Sequence, residues 1–526
     1  MDLQTFSLYW AIAVGLLLLV CSYLFSYFVT YKHLSGIPSR FPAQFTNLWA
    51  FWITYTGNSV RGVHKLHLDK GKIVRIKPNH VSIADDSAIQ MIYGHGNRLL
   101  KTEFYDTFTP RKGSANMFST RDRAEHASKR KLLSHAYSPA SLARLEPYAR
   151  AHVELFVKKL DRFALDPKEK GRKIGSLAGT RFNFLNWFHY LAFDIISDLS
   201  FGASLNMLQN EADLVEIRAS PKSPATYIKA IEALDHQSAA DAALGHVIQL
   251  KPLLNRFFPI ARFRNALRAT QNLVGLAIAK VAERLDNPPL TERHDTLARI
   301  IKNQGRDADG NVKDRHELVI AAFTQLIGGS DTTSNSLGAI LYYVSKTPHV
   351  VKRLQGELDA AIPSDIDVPT HEMVRELPYL DCVIKESLRH HSMIGFGLPR
   401  QQEGSVSSST LDNGLTFQGH YFPPGTVLSV PAYTVHHSEE IWGPDAYEFN
   451  PERWDNVTER QKNAFMPFSI GPRACIGRNL AEMEMRIVVA TVFRRYDIKI
   501  YKDNLDTWEA LLRRPLPLQS TITRRF

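Results

Sequence analysis

Between Asp2 and Lys32 the chain carries no charged residue, and the stretch from Leu8 to Thr30, LYWAIAVGLLLLVCSYLFSYFVT, is mostly apolar with aromatic residues toward both ends. As a helix at about 1.5 Å per residue it spans roughly 35 Å, more than a hydrocarbon core of about 30 Å. Such a segment constrains the architecture first: one helix belongs in a bilayer, and the rest of the chain must lie on one side. The rival reading is a cleavable signal peptide. Against it, the run is longer than a signal core, no basic stretch precedes it and no small-x-small site interrupts its exit. Lys32, His33 and Arg40 follow the span while Asp2 precedes it, so the positive-inside rule predicts a cytosolic body. The three cysteines, Cys21, Cys382 and Cys475, are too far apart for a CxxC zinc pattern or a disulfide framework, which agrees with a reducing compartment.

Two prolines and a glycine in SGIPSRFP, residues 35 to 42, stop the helix. The chain therefore divides into an anchor over 1–32, a proline-rich hinge over 33–45 and one body over 46–526. The body is expected to be mainly α with a smaller β portion. Alternation through Ile73 and Ile76, and again through Val81 and Ile83, predicts two short strands, followed by a helix capped by Asp85 or Asp86 and stopped at Gly94. From about residue 120 to 390 the apolar spacing is helical, and the longest run, Asp314 to Lys346, ends at Thr347-Pro348. Past residue 395 short β-type runs with Gly and Pro take over, and helix returns after Gly477. The 64 Lys+Arg against 53 Asp+Glu leave a net charge of +11, which admits nucleic acid, an anionic membrane, an acidic protein or an anionic ligand. No basic run interleaved with aromatics forms a recognisable nucleic-acid module, so nucleic acid is not an expected partner.

The chemistry concentrates in PFSIGPRACIGRNLAEMEMR, residues 467 to 486. A lone cysteine in an apolar loop is by default an inert buried thiol. Cys475, however, stands just before a helix starting near Gly477, whose N–H groups and positive end favour thiolate. Gly471 and Gly477 allow close approach to a flat ligand, Phe468 packs toward the sulfur, and Arg473 adds a cation. Thiolate, close approach and cation together point to haem iron and its propionates.

Phe468, Gly471, Arg473, Cys475 and Gly477 match the FxxGxRxCxG loop of the cytochrome P-450 monooxygenases, and the chain resembles that family. Glu386-Ser387-Leu388-Arg389 resembles its ExxR motif, and Pro451-Glu452-Arg453-Trp454 its PERF box, in which the family's arginine joins the ExxR pair. A lone ExxR would be an ordinary surface pair. Gly328-Gly329-Ser330-Asp331-Thr332-Thr333 matches the oxygen-activation motif inside the long helix. Paired glycines there cost about 1 kcal/mol each against alanine, which suggests a local widening of the helix at a functional site.

The resemblance implies haem b held by Cys475 as axial iron ligand, with Arg473, Arg130, His126 and Arg400 toward the propionates. His126 stands where many relatives carry tryptophan. By the same resemblance Asp331 relays protons and Thr332 hydrogen-bonds the activated oxygen, with O2 as co-substrate. The tandem pairs His390-His391 and His436-His437 read as structural, since no third ligand has matching spacing.

Stretches such as SIADDSAIQMIYGHGN, NWFHYLAFDIISDLSFGA and EIWGPDAYEFNPERW resemble the fungal benzoate 4-monooxygenases. That likeness implies hydroxylation of a small aromatic acid, benzoate at its para position. A monooxygenase for a larger aromatic or terpenoid metabolite, a redox-independent haem-thiolate isomerase or dehydratase, and a non-catalytic haem sensor are the alternatives. Substrate contacts are expected in Phe104–Ser119, with Arg111 and Lys112, and in the turn carrying Met393 and Phe396. A buried substrate carboxylate demands a cation or a cluster of hydroxyl and amide donors. No flavin- or nucleotide-binding pattern is present, so electrons are expected from NADPH–cytochrome P-450 reductase, with cytochrome b5 as a further donor, at the endoplasmic reticulum membrane. Arg121, Arg123, Lys129, Lys131 and Arg478 would form the basic docking face.

Overall fold

The computed structural model describes residues 3–110, 113–166, 177–218, 223–251, 261–289, 293–304, 314–404 and 414–526. The fold is mainly helical with a smaller β portion, as expected. In chain order, the elements that matter below are α1 (Leu3–Phe25), β1 (Ile73–Lys77), β2 (His80–Ile83), β3 (Leu99–Lys101), α2 (Arg123–Ser134), α3 (Phe184–Phe201) and α4 (Ala230–Leu244). They continue with α5 (Arg315–Ser345), α6 (Pro378–His391), β4 (Arg400–Gln402), β5 (Val427–Ser429), α7 (Arg478–Arg495) and β6 (Arg513–Pro515).

Helix α1 passes into a π turn at Ser26–Thr30. The window Ala13–Thr30 has a mean hydropathy of 2.0 and no buried residue, so it is long and apolar enough to cross a membrane. The segment expected as a hinge does not hang free. Leu34, Ile37 and Ala43 are buried in the body, Arg75 N–H donates to the Pro38 carbonyl (2.8 Å), and Ser39 Oγ donates to the Arg75 carbonyl (2.8 Å). The exit from α1 is thereby stitched to β1.

The five-stranded sheet has the order β1-β2-β5-β4-β3. Its β3–β4 pairing sets Lys101 opposite Arg400, two basic residues from distant parts of the chain. The helix after β2 runs over Ser87–Tyr93, and its cap is Asp85, whose Oδ1 accepts from the Ser87 N–H (3.0 Å) and Oγ (2.6 Å), rather than Asp86.

Helix α5 is 31 residues long, about 46 Å, and crosses the body. Asp314 caps it by accepting from the Glu317 N–H at 2.8 Å. Its middle packs on α3, and a Cβ at Gly329 would lie 2.6 Å from Ile196, so Gly329 serves helix-to-helix contact. Nothing lies within 4 Å of a Cβ at Gly328, which opens toward the interior. The expected widening is absent: α5 is regular α-helix through the motif, and its two glycines have separate steric roles.

Candidate active site

Cys475 follows a one-turn 3-10 segment, Gly471–Arg473, and Gly477 is the N-cap position of α7. The Cys475 N–H donates to the Phe468 carbonyl (2.9 Å), closing the loop. Gly471 sits at φ +70°, and a Cβ there would lie 2.0 Å from the Tyr93 carbonyl oxygen. Its glycine is required by the neighbouring backbone and not, as expected, by a flat ligand. Gly477 does line the cavity, with only Cys475 Sγ and Tyr137 near its would-be Cβ, each at 3.9 Å.

The Cys475 side chain opens onto an internal cavity of about 370 Å³. Thr332, Asp331 and Gly328 from α5 line the same cavity, as do Phe468, His126, Arg130, Arg473 and Met393. Burial is the strongest influence on the Cys475 thiol and pushes it up, while hydrogen bonds from the Gly477 and Arg478 N–H groups and the Arg130 and Arg478 charges pull it down. The helix-end donors are present as expected, but in the bare chain burial outweighs them; a metal ion would displace the proton outright.

One wall carries an unusual density of positive charge. Arg473 donates to the carbonyls of Thr120 (2.8 Å), Arg121 (3.0 Å) and Asp122 (3.2 Å), fixing it at the start of α2. Arg130 donates to the Ala474 carbonyl (2.8 Å), tying α2 to the cysteine loop. Burial, followed by Arg473, Lys101, Arg130 and Arg400, pushes His126 down to about 3, so it is a neutral imidazole with one N–H to offer. Lys101 also lines the cavity, and burial with Arg400 and Arg473 drives its amine well below the usual range. The charges acting on His126 and Lys101 are all positive. A cavity wall this rich in basic side chains, with Arg130 and Arg473 half-buried on it, fits a ligand bearing carboxylates. A lone soft thiol beside it suits haem iron. The residues present therefore fit haem.

Arg400 departs from expectation. It is buried behind the wall, stacked over Tyr93 and Tyr105 and donating to Tyr105 Oη at 2.6 Å, so it acts on the cavity only through its charge. Phe396 is likewise no lining residue, since it packs into a core with Phe104, their ring centres 6.1 Å apart; Ile394 takes the place expected of it. Arg111 and Lys112 lie outside the described residues. The tandem histidines bond protein groups, His390 and His391 the Glu448 and Arg513 carbonyls (2.6 Å each) and His436 the Ser392 hydroxyl (2.6 Å), while His437 bonds the Tyr433 carbonyl (2.8 Å).

Thr332 Oγ donates to the Gly328 carbonyl at 2.6 Å, and Asp331 is 2% exposed. Arg514 from β6, which sequence reasoning missed, clasps Asp331 Oδ2 through Nε (3.0 Å) and Nη2 (2.5 Å). Its Nη1 reaches half-exposed Asp235 of α4 at 2.5 Å. Asn335 Nδ2 donates to Asp331 Oδ1 at 2.6 Å.

Below α6, Glu386 accepts from Arg389 Nε (2.9 Å) and Nη2 (2.8 Å), Arg453 Nε (3.0 Å), Trp454 Nε1 (3.0 Å) and the Asn450 N–H (3.0 Å). Glu386 and Arg389 are fully buried, which removes the surface-pair reading. Of the basic residues expected on a docking face, Arg121, Arg123, Lys131 and Arg478 are exposed, Arg121 and Arg478 in surface pairs with Asp106 (2.9 Å) and Glu482 (2.8 Å), whereas Lys129 is part-buried against Glu317 at 2.9 Å.

This fold and this cavity define a haem-thiolate protein, and the family model described as cytochrome P450 matches residues 38–522. The chain belongs to the cytochrome P450 family and is a monooxygenase that uses haem iron and dioxygen. It is 46% identical over 517 residues to benzoate 4-monooxygenase bphA of Aspergillus niger, covering 97% of each chain. It is also 30% identical to a cytochrome P450 monooxygenase of Aspergillus terreus, over 93% of this chain and 94% of that one. Pisatin demethylase of Fusarium vanettenii is 29% identical, over 92% and 89%.

Proposed function

We propose that this monooxygenase hydroxylates benzoate, or a closely related small aromatic acid, at the ring position para to the carboxylate. The observation that carries the reading is the 46% identity, over 97% of both chains, to a benzoate 4-monooxygenase. A mostly apolar cavity, with Phe108, Phe118, Ile327, Leu234 and Leu512 on its walls, suits an aromatic ring. Electrons come from NADPH through cytochrome P-450 reductase, with α1 as the anchor in the endoplasmic reticulum membrane and the body in the cytosol.

Haem iron, when bound, would supply the centre at which dioxygen is reduced and activated. Cys475 Sγ would be its ligand, and Arg130, Arg473, Lys101 and the His126 N–H would hold its propionates. The apolar walls exclude water and leave the ring free to orient. Thr332 Oγ, which donates to the Gly328 carbonyl, would be the hydroxyl that offers a proton within the cavity. Asp331 replenishes that proton, but both its oxygens already accept strong donors. Arg514 bridges it to half-exposed Asp235, which marks the route from solvent.

Titration of the purified haem enzyme with benzoate, following the low-spin to high-spin shift, tests the substrate, and turnover with reductase and NADPH tests the product. Benzoate is expected to shift the spin state and yield 4-hydroxybenzoate. A shift with bulky aromatic or terpenoid ligands and none with benzoate refutes the assignment.

A further inference from the structure

Four residues of α4, Leu234, Gln237, Ser238 and Asp241, line the cavity, and their spacing of three and four puts them on one helix face. Leu234 continues the apolar walls, but the three that follow it toward the C-terminal end of the helix are polar and each more than nine-tenths buried. Their hydrogen bonding is one-sided. Gln237 donates to the Asp241 carboxyl and leaves its own Oε1 buried without a partner. No cation among the described residues pairs with Asp241, on which Lys251 acts only through its charge, and the Ser238 hydroxyl has no hydrogen-bond partner among them. Other lining hydroxyls are spent on the helix's own carbonyls, Thr324 on Ile320, Thr332 on Gly328 and Ser336 on Thr332. The α4 face thus offers the cavity an acceptor, Asp241, beside a free hydroxyl, and buried polar groups of that kind call for a partner.

We propose that Asp241 and Ser238 bind a hydroxyl group on an aromatic ring, the ring O–H donating to the open oxygen of Asp241 while its oxygen accepts from the Ser238 hydroxyl. An aryl hydroxyl answers both residues because it donates and accepts at one atom. A carboxylate has no proton to give Asp241, an ether has none either, and an ammonium cannot accept from Ser238. The fit holds in either state of the Asp241 carboxyl, since an ionised acid and a neutral one both keep an acceptor oxygen. The ligands of this class are small phenols that share a cavity of about 370 Å³ with haem, ring-hydroxylated aryl acids among them. The hydroxyl is a second handle on the ring, independent of where a carboxylate goes, so this site stands whether or not benzoate is the substrate.

The test is a calorimetric titration of the haem-loaded enzyme with 3-methylphenol and with its methyl ether, 3-methylanisole, which lacks the O–H. The parent is expected to bind the phenol about 10-fold more tightly than the ether, the scale of a hydrogen bond to an acid. Asp241→Leu should bring that ratio to within about a factor of two of unity, and Ser238→Ala should lower it about 3-fold. Asp241→Asn, which keeps an acceptor oxygen, should hold most of it. Should Asp241→Leu fail to fold, Ser238→Ala carries the test, being smaller by a single oxygen. A parent ratio near one overturns the site, as does an unchanged ratio in Ser238→Ala and Asp241→Leu. The benzoate reading has its own readout in the spin-state titration: no benzoate shift with the phenol-to-ether ratio intact sinks that reading and leaves this site standing.

Discussion

Replacing Glu386 by glutamine changes one atom and tests the buried centre of the fold. The two carboxylate oxygens accept five donors, Oε1 from Arg389, Arg453 and the Asn450 N–H, and Oε2 from Arg389 and Trp454. An amide keeps one oxygen and turns an NH2 toward donors that then face donors. Arg453 retains Asp445 at 2.9 Å, but Arg389, fully buried, keeps only the carbonyls of His436, Ala446 and Glu448. A buried cation left without its anion costs about 3–5 kcal/mol, a large part of the roughly 5–15 kcal/mol by which a domain is stable. The expected result is a urea midpoint lowered by that amount at unchanged slope, and a steep fall in the yield of protein showing the reduced carbon monoxide band of a thiolate-ligated haem. A Glu386→Gln enzyme within about 0.5 kcal/mol of the parent would mean that the guanidinium groups are solvated or otherwise paired, and the reasoning would fail.

Gly471→Ala should be nearly as damaging, because its Cβ would meet the Tyr93 carbonyl at 2.0 Å in a left-handed conformation; a cost of about 2–5 kcal/mol is expected, and normal recovery of haem enzyme would refute it. Thr332→Ala should uncouple the cycle, consuming NADPH and releasing peroxide, and unchanged coupling between NADPH and product counts against the Thr332 role. Stability should fall on mild acidification: burial holds His67, His189 and His390 down to about 4 and His436 down to about 3. The unfolded chain takes up protons near 6.5 that these folded sites refuse, so stability is full above that pH and is lost below it, about 1 kcal/mol per histidine by pH 5.5; equal urea midpoints at pH 7 and 5.5 would contradict this. Raising salt should slow reduction by the reductase if exposed Arg121, Arg123, Lys131 and Arg478 steer docking.

The parts legible in the sequence are those whose constraint is local. Cys475 is set in a loop before α7, Glu386 and Arg389 share one turn, and the Asp314 cap and Thr347-Pro348 stop bracket α5, so spacing alone locates them. Lys101 and Arg514 were not legible, since a basic residue on a short strand reads as solvent-facing. Only the pairing of β3 with β4 carries Lys101 inward, and only the approach of β6 to α5 gives Arg514 its acid. The misplacements of Phe396 and Arg400 share a cause. In a turn followed by a short strand, neither the 3.6 nor the 2.0 period tells which side chain faces the cavity. Gly329 was noticed for the right helix and the wrong reason, because its neighbour Ile196 comes from α3.

Three acids line one cavity, and their differing environments divide the labour. Asp331 alone meets a buried cation, Arg514, and so carries its charge in an ion pair. Glu484, on α7, has only a hydrogen bond from Thr333 against its burial, which pushes it up to about 8, so it is neutral near pH 7. That neutrality has a physical use: Glu484 and Cys475 both act on Tyr137, and a second anion there would oppose a thiolate at Cys475. Asp241, pushed up to about 7, stands between the two. The position of one arginine thus separates the acid that sits in an ion pair from the two acids that burial pushes up.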